Sequence, residues 1–234
     1  MKNFLAAICA ACLTACLLVT GCGGEEKPSE PATKTETDAP QFGADKAVLA
    51  YAQLYAYGII EDENLQAAGL TQAGVEEIQN QVLQPVVDAL QKFPLNDESV
   101  SEMAKQYVGK LHKRMAMKTR VKTDDPKNPV VELTAATIDG EEATRLAQDD
   151  ENLTALAAQL NELQAAGMTE DDLKANEDFQ QFAMESLNAY IDDFPFNDEQ
   201  SIDVPCEATK ASDGKFYWAP KDRDAVIKFV TGQK

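Results

Sequence analysis

The sequence predicts an α+β domain in which paired helices pack on a small antiparallel sheet, and three observations predict it. Apolar residues recur at helical spacing over most of the chain beyond residue 44. That period gives way twice, near 119–138 and near 202–218, to alternation broken by turn residues. Two short blocks also recur in the same order. Leu65-Gln66-Ala67-Ala68-Gly69-Leu70-Thr71 returns as Leu163-Gln164-Ala165-Ala166-Gly167-Met168-Thr169, and Phe93-Pro94-Leu95-Asn96-Asp97-Glu98 as Phe194-Pro195-Phe196-Asn197-Asp198-Glu199. The intervals between them differ by three residues, about one helical turn. The reading is an internal duplication, with halves at about 44–140 and 141–234.

The first 21 residues read as a signal segment. Lys2 gives a positive start, and Phe4 to Val19 is an uncharged apolar run interrupted only by Thr14. It is shorter than the ~20 residues a spanning helix needs. The run ends in Leu18-Val19-Thr20-Gly21-Cys22, which resembles a bacterial lipobox. That resemblance implies cleavage between Gly21 and Cys22 and acylation of the Cys22 sulfur and its new amine. Leu13-Thr14-Ala15-Cys16 fits the short pattern too, but it leaves a second apolar stretch on the mature end. Acyl chains contribute about 0.8 kcal/mol per buried methylene, enough in twos and threes to hold a protein on a membrane. The chain carries a net charge of −19, and losing Lys2 with the signal makes it more acidic, so the anchor must do the tethering against anionic headgroups.

Residues 22–43 read as the lipidated cysteine and a disordered tether, with Pro28, Pro31 and Pro40 among acids and threonines and almost nothing apolar to bury. The folded part is then residues 44–234. Val48, Tyr51, Leu54, Tyr55 and Ile59 form one helical stripe, and Val75, Ile78, Val82, Val86 and Leu90 another, with Pro85 placed to kink it. Gly69 and Gly167 have the position of left-handed residues closing a helix. Thr71 and Thr169 then cap the next one, with staples from Leu70 to Val75 and Met168 to Leu173. Ser99 with Glu102 reads as a capping box opening a third helix with Val100, Met103, Tyr107, Leu111 and Met115 inward. Strands are predicted over 119–123 and 129–138, helices over 142–166 and 169–193. Ile202, Val204, Cys206 and Ala208 then alternate, Asp213-Gly214 turns the chain into Phe216-Tyr217-Trp218, and Asp222 caps a last helix. Each hairpin exposes an apolar face, so the two share one sheet or form two small ones under the helices.

That order is similar to a group of uncharacterised bacterial lipoprotein domains. The matching pieces are Leu18 to Cys22, Arg120-Val121-Lys122 with Val130-Val131-Glu132-Leu133, and Asp213-Gly214-Lys215-Phe216 with Trp218. The Pro126-Lys127-Asn128-Pro129 turn departs from the pattern in lacking a glycine. The resemblance implies an envelope location and brings no catalytic residues. A looser likeness to cystatin-like and nuclear-transport-factor-like folds rests on helices preceding a sheet and carries no function.

Composition removes several function classes. With 44% hydrophobic and 26% charged residues, the composition is ordinary for a globular protein and argues against wholesale disorder. Four of five cysteines (Cys9, Cys12, Cys16 and Cys22) fall in the first 22 residues, which leaves Cys206 alone and excludes a disulfide framework or a cysteine metal site. The acidic balance argues against nucleic acid as a partner. His112 is the sole imidazole, so any Ser-His or Cys-His pair would have to include it. Acid runs such as Asp149-Asp150-Glu151 and Glu170-Asp171-Asp172 lack the calcium-loop pattern, and the second fits the first turn of a helix. Neither a metal nor a cofactor is implied. Eight cations between Lys105 and Lys127 form a basic island that either receives an acidic partner or neutralises the chain's own acids. The candidate binding surface is Phe216, Tyr217 and Trp218 with Lys110, Lys113 and Arg114. The functional expectation is a lipid-anchored, extracytoplasmic, non-enzymatic module that binds an envelope protein or polymer. The alternative is a carboxylate-dependent hydrolase acting on envelope material. A transporter's solute receptor ranks behind both, because the alternating strand-helix pattern of such proteins is missing.

Overall fold

The computed structural model describes residues 39–60, 62–211 and 213–232, so Gly21, Cys22 and most of the tether lie outside the described residues. Helix α1 (Ala44–Tyr57) is the first among the described residues and closes at Gly58, whose φ of +67° lets its N–H reach back to Leu54 O at 2.8 Å. After α2 (Asp62–Ala68), the chain turns through Gly69 at φ +64°, and Thr71 caps α3 (Gln72–Leu90) by accepting from the Gly74 N–H. Pro85 sits inside α3 without ending it.

The next helix starts earlier than its capping-box reading. Asn96, not Ser99, caps α4 (Asp97–Met115), its side-chain oxygen accepting from the Ser99 N–H at 2.8 Å. Asp97 and Glu98 then occupy the first turn, where the helix dipole favours them. Strands β1 (Lys118–Thr123) and β2 (Val130–Ala135) follow as an antiparallel pair.

Two further helices predicted as continuous are each broken by a side chain that captures the backbone. Asp150 ends α5 (Gly140–Asp149) and starts α6 (Glu151–Ala165) by accepting from the Leu153 N–H. Gly167 at φ +92° then closes α6 with a Schellman pair, Met168 N–H to Leu163 O and Gly167 N–H to Gln164 O. Thr169 and Asp172 form a capping box at α7 (Glu170–Ala175), and Asn176 separates it from α8 (Glu177–Asp192) by capping Phe179. Strands β3 (Gln200–Lys210) and β4 (Phe216–Pro220) turn through Gly214 at φ +82°, and Asp222 caps α9 (Arg223–Val230).

The two hairpins share one sheet in the order β1-β2-β3-β4, antiparallel throughout. Its centre is the β2–β3 seam, where Val131 faces Val204 and Leu133 faces Ile202. Helices α1 and α9 cover one face, burying Val131, Leu133, Val204 and Cys206 under Val48, Ala52, Val226 and Val230. The other face is open and carries a ladder of charge pairs: Lys118–Glu199, Arg120–Glu132 and Lys122–Asp203, each at 2.7–2.8 Å. A second and larger core joins α3 through α8, with both phenylalanines of the repeated Phe-Pro block, Phe93 and Phe194, inside it. Phe194 lies edge-on between Tyr107 and Tyr190, at centroid separations of 6.0 and 4.9 Å. Thus the folded part is α+β.

Candidate functional site

The residues singled out from the sequence divide between two places. Lys110 donates to Asn188 O and pairs with Asp192 Oδ1, both at 2.8 Å. Arg114 donates to Asp192 O at 2.7 Å and stacks 4.5 Å over the Phe196 ring. These two cations therefore bind α4 to α8 and the chain beyond it, while Lys113 is exposed. Lys110 and the ladder's Lys118, Arg120 and Lys122, half of the basic island, are thus paired with the chain's own acids.

Strand β4 lies at the opposite edge of the sheet from β1, against α1 and α2, so the aromatic run does not join those cations. Trp218 packs on the sheet core. The Tyr217 ring lies against Gly69, and its hydroxyl donates to Asp213 Oδ2 at 2.7 Å. The Lys215 N–H and then that hydroxyl hold the Asp213 carboxyl below its usual range, while the same bond raises the Tyr217 phenol. Phe216 sits under Lys210, 5.8 Å from its Nζ. The surface read from the sequence is thus divided between α4 and β4.

The remaining sequence candidates also take structural places. Cys206 is fully buried, and the loss of solvation pushes its thiol up to about 12. His112 packs edge-on to Tyr57 at 5.1 Å. Among the described residues, no group of three His, Cys, Asp or Glu side chains is placed to hold a metal ion.

A groove of about 450 Å³ opens instead between α4, α7 and α8. Its floor is organised by Gln180, a buried amide that accepts from the Asn96 N–H and donates to Pro94 O and Leu173 O, each at 2.9 Å. This side chain fixes the Phe-Pro-Leu-Asn corner against the α7–α8 break. Along the walls run Glu102 from α4, Lys174 from α7, and Glu177, Gln181, Met184, Glu185 and Asn188 from α8. Lys174 pairs with Glu170 at 2.7 Å, and that bond raises its ammonium. Sequence reasoning missed these residues. The available signal was a polar stripe at 177, 181, 185 and 188, which continues the helical period on the face opposite the apolar one.

No family model matches the chain, and no curated protein matches it. It is similar to a solved structure from Bacillus subtilis. That structure is of "a putative lipoprotein (ycdA)", at 13% identity and a TM-score of 0.43. The match covers 80% of this chain and 56% of that one. No helix among the described residues is long and apolar enough to cross a membrane.

Proposed function

We propose that the chain is a lipid-anchored envelope protein, held on the extracytoplasmic face by acyl chains on Cys22, whose folded part is a non-enzymatic binding module. The observation that carries the placement is Leu18-Val19-Thr20-Gly21-Cys22 at the end of an uncharged apolar run. The first helix among the described residues starts at Ala44, far enough along the chain from Cys22 for the sequence-predicted tether to lie between them. The groove beside α8 supports the binding reading: a concave site lined by amides and carboxylates suits recognition of a polar envelope component. Hydrolysis of envelope material is the second reading, favoured by Glu102, Glu177 and Glu185 on the same groove.

The test is Cys22→Ser in cells, followed by fractionation and mass spectrometry of the N-terminal peptide. The natural chain should sediment with membranes and carry a thioether-linked diacylglyceryl group; the variant should leave the membrane fraction. A bare sulfur in the natural chain would overturn the placement. Turnover of envelope glycan that is lost in Glu102→Gln or Glu185→Gln would replace binding with hydrolysis.

A further inference from the structure

We propose that β1 takes an extended peptide of a partner protein as a fifth strand of the sheet, a peptide in which acids alternate with β-branched residues. This surface is separate from the groove, so the inference goes beyond the reading above and does not depend on it. The two edges of the sheet differ. β4 ends in Pro220 and lies against α1 and α2, with the Tyr217 ring on Gly69. β1 pairs with β2, and its outer row of N–H and C=O groups meets no other strand among the described residues. Its one irregularity, between Val121 and Thr123, leaves Lys118 to Val121 in regular register.

Proteins commonly protect such an edge with a proline or with a charge that points inward. β1 has neither. Thr119 and Val121 stand across from the buried Leu133 and Val131, so the inward side of the strand offers a hydroxyl and a branched alkyl group. At 37% exposure, Val121 is the one large apolar side chain left exposed among the described residues. The outward side carries Lys118, Arg120 and Lys122, successive cations about 6–7 Å apart along the strand. Each pairs with an acid at 2.7–2.8 Å across the face of the sheet, which leaves the outer edge of the backbone clear. Arg120 reaches Glu132 through Nη2 alone and its side chain is 73% exposed, so the guanidinium keeps N–H donors for a carboxylate arriving on the outer side. A strand laid beside β1 thus meets cations on one face and Val121 on the other. A second copy of the chain does not fit. Any two-fold antiparallel pairing of β1 with itself that keeps the faces aligned sets 118, 120 and 122 against one another, cation on cation. In the added strand, main-chain hydrogen bonds supply the affinity and the alternating side chains the selection.

The experiment titrates the full 15N-labelled chain, in zwitterionic micelles at low salt, with the peptide acetyl-Thr-Glu-Val-Glu-Thr-Glu-amide. Saturable binding is expected, with amide shifts centred on 118–123. Two versions of the peptide, N-methylated on alternate residues in opposite phase, carry the same charge. The phase that blocks the N–H groups facing β1 should weaken binding about tenfold or more, and the other should leave it unchanged. A counterpart with lysine in place of glutamate should bind about tenfold more weakly. Val121→Lys, an inward charge at an exposed position, should abolish binding with the far-UV circular dichroism spectrum retained. Lys92→Gln with Lys105→Gln, removing two exposed cations outside the sheet, should leave binding unchanged. The proposal is overturned if the peptide does not saturate or if Val121→Lys binds it as tightly as the natural chain. It is equally overturned if the two methylated phases behave alike or if the Lys92 and Lys105 control weakens binding about tenfold, since either result marks diffuse attraction to exposed cations. Each of these failures leaves the lipidation result at Cys22 and the groove standing.

Discussion

Replacing Gln180 with leucine removes three hydrogen bonds at 2.9 Å from a side chain only 5% exposed. The Asn96 N–H and Pro94 O would each lose a partner where solvent cannot easily substitute, while Leu173 O would keep the Asn176 N–H at 3.2 Å. Orphaning a buried polar group costs about 1–3 kcal/mol, and the added apolar burial of leucine returns about 1–2 kcal/mol. The net expectation is a loss of about 3 kcal/mol in urea unfolding followed by far-UV circular dichroism. For a folded part of this size that corresponds to a fall of roughly 6–12 °C in Tm. Gln180→Glu sharpens the test. Its carboxylate still accepts from the Asn96 N–H but sets negative charge against two carbonyl oxygens, so burial and those acceptors raise its folded pKa above the unfolded value of about 4.3. The folded state then holds a proton that the unfolded state has released. The penalty is therefore full at neutral pH and shrinks as pH falls through the raised value. A Gln180→Leu variant within about 1 kcal/mol of the natural chain would refute the reasoning, as would a Gln180→Glu penalty that does not change between pH 7 and 4.

The two corner glycines should respond differently to alanine. At Gly167 (φ +92°) a Cβ would meet nothing within 4 Å, so only left-handed strain applies and thermal unfolding should register about 1–2 kcal/mol. At Gly69 (φ +64°) the same strain is joined by overlap with the Tyr217 ring, and the loss should reach about 3 kcal/mol or more; equal losses would sink the packing argument. Cys206 should resist alkylation at pH 8 until urea is added, as read by peptide mapping. Because its folded pKa is raised from 9.0 to about 12, stability should be unaffected below pH 9 and fall as pH rises from there towards 12. Ready modification of the folded chain at pH 8 would contradict the burial.

The parts of the fold that were legible in the sequence are those decided locally. Thr71, Thr169 and Asp222 cap helices because a hydroxyl or carboxylate three residues upstream of a free N–H needs nothing distant. Gly69, Gly167 and Gly214 all have positive φ, and both hairpins form. Apolar period alone could not see Asn176 or Asp150 interrupt helices, since a break that preserves the buried stripe leaves Leu173 and Phe179 both in the core. It missed Gly58 for the same reason. The same Phe-Pro-x-Asn-Asp-Glu block opens α4 in its first occurrence and precedes β3 in its second. There the Asn197 N–H reaches Thr137 O at 2.8 Å, a partner sixty residues away. A long-range partner of that kind holds the second occurrence in a different setting from the first. The groove was hidden because Glu102 and Asn188 are joined, through Gln106, only once α4 lies on α8.

The β2–β3 seam has a consequence for biosynthesis. Val131 and Leu133 find Val204 and Ile202 only after the chain has been extended through β3. Until β3 is present, the first hairpin has a bare inner edge that can pair with any other unpaired strand. A chain truncated after the first hairpin should therefore be insoluble rather than half a protein, as read by its partition on centrifugation.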